Sequence, residues 1–201
     1  MANSLHAARL VDDLERSRDV FDLAVGDRDF IAAVSHAAEI VTQALLAGRK
    51  LLLAGNGGSA ADAQHIAAEL VVRFNADRPA LPAIALTTDS SVLTAIGNDL
   101  GFEQLFSRQV RALGRGGDVF LALSTSGRSP NILAACRTAR EQKLTVIGFT
   151  GANGGAMGDV CDVLVRVPSD KTPFIQQVHI AAGHSICAIV EEALLRGEQT
   201  G

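Results

Sequence analysis

The chain has 201 residues, 48% of them hydrophobic and 20% charged, and its 18 basic and 22 acidic side chains give a net charge of -4. That length suits one domain with a core that needs no staples, and the composition excludes a disordered or collagen-like chain. The acidic balance argues against nucleic-acid binding by bulk charge, and eight Phe with no Tyr or Trp provide no platform for stacked bases. Cys136, Cys161 and Cys187 are odd in number, widely spaced and free of any CxxC, so they read as small core residues in a reducing, cytoplasmic compartment. No basic segment leads an apolar stretch at the N-terminus, and no apolar run approaches the ~20 residues of a membrane span.

In chain order, Leu10, Leu14, Phe21 and Val25 fall at helical spacing over residues 4–24, and Gly26-Asp27 interrupts the pattern. A second amphipathic helix runs from Phe30 to Leu45 and stops at Ala47-Gly48. The period then changes. A short, wholly apolar run at 51–54, and similar runs at 83–86, 119–123, 145–149 and 163–167, have the character of strands buried on both faces. Helical patterns at 59–73, 102–113 and 130–142 lie between them, and a long helix at 172–196, ended by Gly197, closes the chain. Alternating strands and helices imply an α/β three-layer sandwich around a five-stranded parallel sheet. The whole chain, 1–201, reads as one domain, with 1–48 a helical extension that covers the core or a neighbouring subunit.

Ligands of open parallel sheets bind at the carboxyl ends of the strands, so the loops there carry the functional question. After the first strand comes Gly55-Asn56-Gly57-Gly58-Ser59, with Ser59 placed to cap a helix whose N-terminus favours anions. It is neither a Walker loop nor a full GxGxxG. After the third strand, Ser124-Thr125-Ser126-Gly127-Arg128-Ser129 sets four hydroxyls within six residues ahead of Pro130, a neutral cradle suited to a phosphate. The loop Thr150 to Gly155 is as consistent with a plain turn as with a ligand contact. Asn98-Asp99 suits either a cap for the next helix or contacts to sugar hydroxyls.

His65 and Glu69 are four apart and share one helix face; Gln176 and His184, eight apart, can face one groove from the last helix. Two imidazoles, a carboxylate and an amide oxygen suit a zinc-like ion, although a packing role serves any one of them as well. His6, His36 and His179 have no comparable partner pattern and are assigned no chemistry; support from behind that set is the most that His179, five residues from His184, could offer.

The run Gly55-Asn56-Gly57-Gly58-Ser59-Ala60-Ala61-Asp62-Ala63-Gln64-His65-Ile66-Ala67-Ala68-Glu69-Leu70 resembles the signature of bacterial phosphoheptose isomerases, which have the sugar-isomerase (SIS) fold. Asn98-Asp99, the Ser124–Ser129 loop, Thr150-Gly151, and Ile175-Gln176 with His179 and His184 are similar in order and spacing, so the resemblance spans about 20–195. It implies isomerisation of sedoheptulose 7-phosphate through a cis-enediol(ate), in a homotetramer with active sites between subunits. Ser124, Thr125, Ser126 and Ser129 would hold the phosphate. Asn56, Gly57, Gly58, Asn98 and Asp99 would line the sugar, with Ser59, Glu69 and Gln176 also against the substrate. His65, Glu69, Gln176 and His184 would bind one Zn2+ per subunit, with Glu69 and His184 also moving protons. The product would feed lipopolysaccharide or another heptose-containing glycan.

Three positions depart from the family's common pattern: Arg128 where Asn is usual, Gln177 where Glu is usual, and Thr172-Pro173-Phe174 ahead of Ile175. They bear on sugar preference. Three other readings stay open: an isomerase of five- or six-carbon sugar phosphates, a non-catalytic SIS scaffold that binds the replication initiator, and a sugar-phosphate-sensing regulatory module. The scaffold lacks the equivalents of Glu69 and His184, both present here, and the sensor comes with a DNA-binding domain for which this chain has no spare residues.

Overall fold

The structure, a computed structural model, describes residues 2–198. Five strands form one parallel sheet in the order β2-β1-β3-β4-β5, with β1 at Leu51–Gly55, β2 at Ala83–Ala85, β3 at Val119–Leu123, β4 at Thr145–Gly151 and β5 at Val163–Val167. Strands β1 and β3 are buried along their whole length, which is why they carry no polar alternation.

Two apolar layers sandwich the sheet. On one face, helices α2 (Arg28–Leu46), α3 (Gly58–Val71) and α7 (Thr172–Glu198) cover Leu51, Leu53, Leu121, Leu123 and Phe149. On the other, α4 (Ser90–Asp99), α5 (Ser107–Leu113) and α6 (Pro130–Glu141) cover Leu52, Phe120, Ala122 and Val146. The alternate residues of each strand therefore feed opposite cores. The helix after β1 and the helix after β3 leave for opposite faces, so a crevice opens between the ends of these neighbouring strands.

The sandwich matches the sequence expectation, with local differences. Residues 90–99 form α4, capped by Asp89, whose carboxylate accepts from the Val92 N–H at 3.0 Å. The helix expected at 102–113 is a 3-10 turn at Phe102–Gln104 followed by the short α5. The last helix runs past Gly197 to Glu198.

Helix α1 (Ala2–Gly26) forms as expected, but Leu10, Leu14 and Val25 are exposed, and the helix touches the fold through Phe21 and Ala24. Asp27 stops α1 and starts α2 by accepting from the N–H groups of Asp29 and Phe30. Both α2 and α7 are long and apolar enough to cross a membrane, contrary to the reading of the bare sequence. Their apolar residues pack instead on the sheet and on each other: Phe30, Val34, Val41 and Leu45 from α2, and Ile175, Val178, Ala182, Ile186 and Val190 from α7.

Candidate active site

The crevice end of the sheet holds a cavity of about 310 Å³ lined by Asn56, Gly57, Gly58, Ser59, Leu123, Ser124, Thr125, Ser129, Thr172 and Gln176. Among the described residues, its polar wall consists of hydroxyls and side-chain amides, with no lysine or arginine. Ser124 Oγ and Ser129 Oγ lie 3.1 Å apart, and Asn56 and Asn131 exchange two amide hydrogen bonds across the crevice. A neutral cradle of this kind suits an anion held by hydrogen bonds rather than by a paired charge.

The glycines around the cradle have distinct tasks. Gly57 takes φ +57° and serves as the N-cap of α3, so the helix starts at Gly58 and Ser59 is a buried residue of its first turn rather than its cap. A Cβ on Gly58 would strike the Gln176 amide, which shows how closely that side chain lies on the loop. Gly127, at φ +61°, packs on the backbone of Gly154, and its carbonyl accepts from Ala156 N–H at 2.9 Å. The second glycine cluster therefore braces the serine loop from behind.

Two expected phosphate contacts differ. Ser126 is exposed, its Oγ accepts from Arg128 N–H at 3.2 Å, and it lines a neighbouring hollow with exposed Arg128. Local hydrogen bonding within the turn aims it away from the cradle. Asn98 and Asp99 lie exposed at the end of α4, joined by a 2.7 Å hydrogen bond, and among the described residues they do not line the cradle. Nor do they cap the next turn, whose N-cap is Gly101.

Farther along the α3/α7 groove, His65, Glu69 and His184 converge. His65 Nε2 lies 2.9 Å from His184 Nε2 and 3.2 Å from Glu69 Oε1, and one ligand atom from each of the three falls within 4.8 Å of the others. Helix α7 comes this close because residue 183 is glycine: a Cβ there would sit 2.6 Å from Ile66 Cδ1. Phe74 flanks His184 with ring centroids 5.5 Å apart. Two imidazole nitrogens and a carboxylate oxygen with this convergence form a donor set suited to a zinc-like ion. Gln176 is not part of this knot. Its amide rests on Gly58, seven residues and about 10 Å of helix before His65.

His179 is fully buried and turns toward the sheet, with Nε2 3.2 Å from the Thr150 carbonyl and its ring beside Phe149. Burial pushes its pKa down to about 4, against a smaller opposing effect of the Thr150 hydrogen bond. It is a neutral core residue, not a support behind His184.

Three features escaped the sequence reading. Asn131 is wholly buried and bonded to Asn56. Asp62 lies on α3 between the cradle and His65, with a buried Oδ2 that has no hydrogen-bond partner among the described residues; burial raises its pKa, partly offset by His65. Arg78 and Glu191 form a buried ion pair at 3.1 Å. Arg78 also donates to the carbonyls of Glu69 and Leu70, while Glu191 accepts from the N–H groups of Phe74, Asn75 and Ala76. That clamp ties the end of α3, and the turn bearing Phe74, to α7.

The chain belongs to the SIS-domain family, whose model matches residues 28–151. It is 59% identical over 183 residues to the phosphoheptose isomerase of Bradyrhizobium sp. strain BTAi1, covering 91% of this chain and 92% of that one. It is 52% identical over 185 residues to the phosphoheptose isomerase of Burkholderia pseudomallei strain 1710b, covering 92% and 94%. The solved phosphoheptose isomerase GmhA of Neisseria gonorrhoeae superposes with a TM-score of 0.82 at 41% identity, covering 96% of this chain and 100% of that one. Like these relatives it is an enzyme, a sugar-phosphate isomerase of the aldose–ketose kind.

Proposed function

We propose that the chain converts sedoheptulose 7-phosphate to D-glycero-D-manno-heptose 7-phosphate through a cis-enediol(ate). The observation that carries this reading is the convergence of His65, Glu69 and His184 in the groove that also leads to the hydroxyl cradle. Ser124, Thr125 and Ser129 hold the phosphate, with Asn56, Gly57, Gly58 and Ser59 along the sugar. The reacting carbons then lie toward the histidines.

Glu69 removes the proton alpha to the carbonyl and returns it to the adjacent carbon. His184 handles the proton that moves between the two oxygens. A positioned acid or base contributes ~10²–10⁴-fold. His65, Glu69 and His184 are the residues that would hold a Zn2+ ion, and Gln176 joins them only by swinging off Gly58. Bound there, the ion would act as a Lewis acid toward the developing oxyanion.

The exposed apolar residues of α1, among them Leu10, Leu14 and Val25, suit burial in a homotetramer. A neighbouring subunit is also the route by which Asn98, Asp99 and Ser126 would reach a substrate. In this reading 1–201 is a single SIS domain with 1–48 as an extension at the interface, the enzyme is cytoplasmic, and its product enters the making of a lipopolysaccharide precursor. Glu69→Gln tests the assignment: turnover should fall ~10²–10⁴-fold while sugar-phosphate binding persists. A variant that isomerises at near the wild-type rate sinks it. Comparing ketose phosphates of five, six and seven carbons with the wild type tests the sugar length, on which Arg128 and Gln177 bear.

A further inference from the structure

The cradle lies where the crossovers after β1 and β3 part to opposite faces of the sheet, and Asn56 and Asn131 join its two sides. Asn131 is the second residue of α6 and is wholly buried, while Asn56 is half-buried and lines the cavity. The two amides form a reciprocal pair: Asn56 Nδ2 donates to Asn131 Oδ1 at 2.9 Å, and Asn131 Nδ2 donates to Asn56 Oδ1 at 2.8 Å.

We propose that Asn131 is a positioning residue that fixes which way the Asn56 amide faces, and so sets the affinity for the sugar phosphate. The proposal rests on reading the cradle as the sugar-phosphate site.

An asparagine amide has a donor end and an acceptor end, and at a pocket wall it can turn over to present either. Here the backbone decides. The Ile132 N–H lies in the first turn of α6, where it can only donate; it is shared between the Ser129 carbonyl at 3.1 Å and Asn131 Oδ1 at 3.0 Å, so the end of the Asn131 amide that faces it is the acceptor. Asn131 therefore keeps its oxygen toward Ile132, and its Nδ2 is the end that must donate to Asn56. Turning Asn56 over would set N–H against N–H and oxygen against oxygen, and the buried Nδ2 of Asn131 would lose its partner. Each amide carries two N–H groups and two lone pairs. The pair uses one of each on Asn56, leaving one N–H in a known direction for a ligand oxygen.

The test is a double-mutant cycle on KM and kcat for sedoheptulose 7-phosphate, using N56A, N131A and the double variant. N131L, which keeps the side-chain volume, is measured beside N131A so that a folding defect is not mistaken for the answer. N56A and N131A should each raise KM about tenfold with little change in kcat, and the double variant should be no worse than N56A alone. The proposal is overturned if N56A leaves KM unchanged, if the Asn131 variants lower thermal stability without moving KM, or if the double variant multiplies the two single effects. If the wild type binds this sugar phosphate without turning it over, the proposed reaction fails, and the same cycle read as calorimetric Kd decides the role of Asn131. A wild type that does not bind it overturns both.

Discussion

The cradle and the histidine–carboxylate cluster share the α3/α7 groove but are built on opposite principles. The cradle is backbone and short side chains, with glycines, hydroxyls and two amides locked across the crevice. The cluster is three longer, titratable side chains carried on helices and brought together at Gly183. A preformed neutral pocket binds by shape and hydrogen bonding; a cluster of ionisable groups can move protons or hold a metal. In this account the first supplies affinity and the second supplies chemistry.

The sharpest way to break that division is to damage each part alone. His184→Gln should cost ~10²–10⁴-fold in kcat and leave sugar-phosphate affinity within a few fold, as steady-state kinetics and calorimetry can show. Ser124→Ala should do the reverse, raising KM about five- to tenfold with kcat nearly kept, because its proposed contact is with the phosphate, remote from the reacting carbons. Equal losses in kcat and KM from both variants would dissolve the division.

Acid should test the scaffold beneath both regions. His179 is held neutral with its pKa pushed down to about 4 from an ordinary 6.5, so the stability tied to its neutral form is complete above pH 6.5 and drains as pH falls toward 4. The upper limit is about 3 kcal/mol. Burial opposes the charge of Glu191, but the N–H groups of Ala76, Asn75 and Phe74 and the Arg78 charge outweigh it and hold its carboxyl below the ordinary value of 4.5. Its contribution is present above 4.5 and is lost as pH drops through the depressed value. Thermal melts should therefore weaken in two stages on acidification, and His179→Leu should remove the upper stage alone.

The smallest expected effect is that of Gly58→Ala. Its new Cβ meets the movable end of Gln176, so stability should hardly change, while KM rises by about two- to threefold as that amide is displaced. Gly127→Ala would be a harsher contrast, since it meets backbone at a positive φ.

Much of this was legible in the sequence because it is local. Leu51–Ala54 announces a buried strand, Ser124–Ser129 a hydroxyl-rich turn, and His65 with Glu69 a shared helix face. What escaped depends on contacts that local patterning cannot register. Asn56 and Asn131 are 75 residues apart, and Arg78 and Glu191 are 113 apart. Ser59 does not cap α3 because the cap falls on Gly57, whose positive φ no composition rule reveals. The family resemblance named Asn98, Asp99 and Ser126, but within one chain they lie away from the cradle. Helix α4 is too short to show a clear apolar period, although Asp89 three residues before Val92 is a legible cap.

The most direct measurement follows the sugar itself. The protein is incubated with sedoheptulose 7-phosphate in a buffer containing Zn2+, and the mixture is monitored by proton NMR. The account predicts growing anomeric signals of an aldose 7-phosphate with the wild type and ~10²–10⁴-fold slower growth with Glu69→Gln. An unchanged ketose with the wild type, or equal rates for the two proteins, would contradict it.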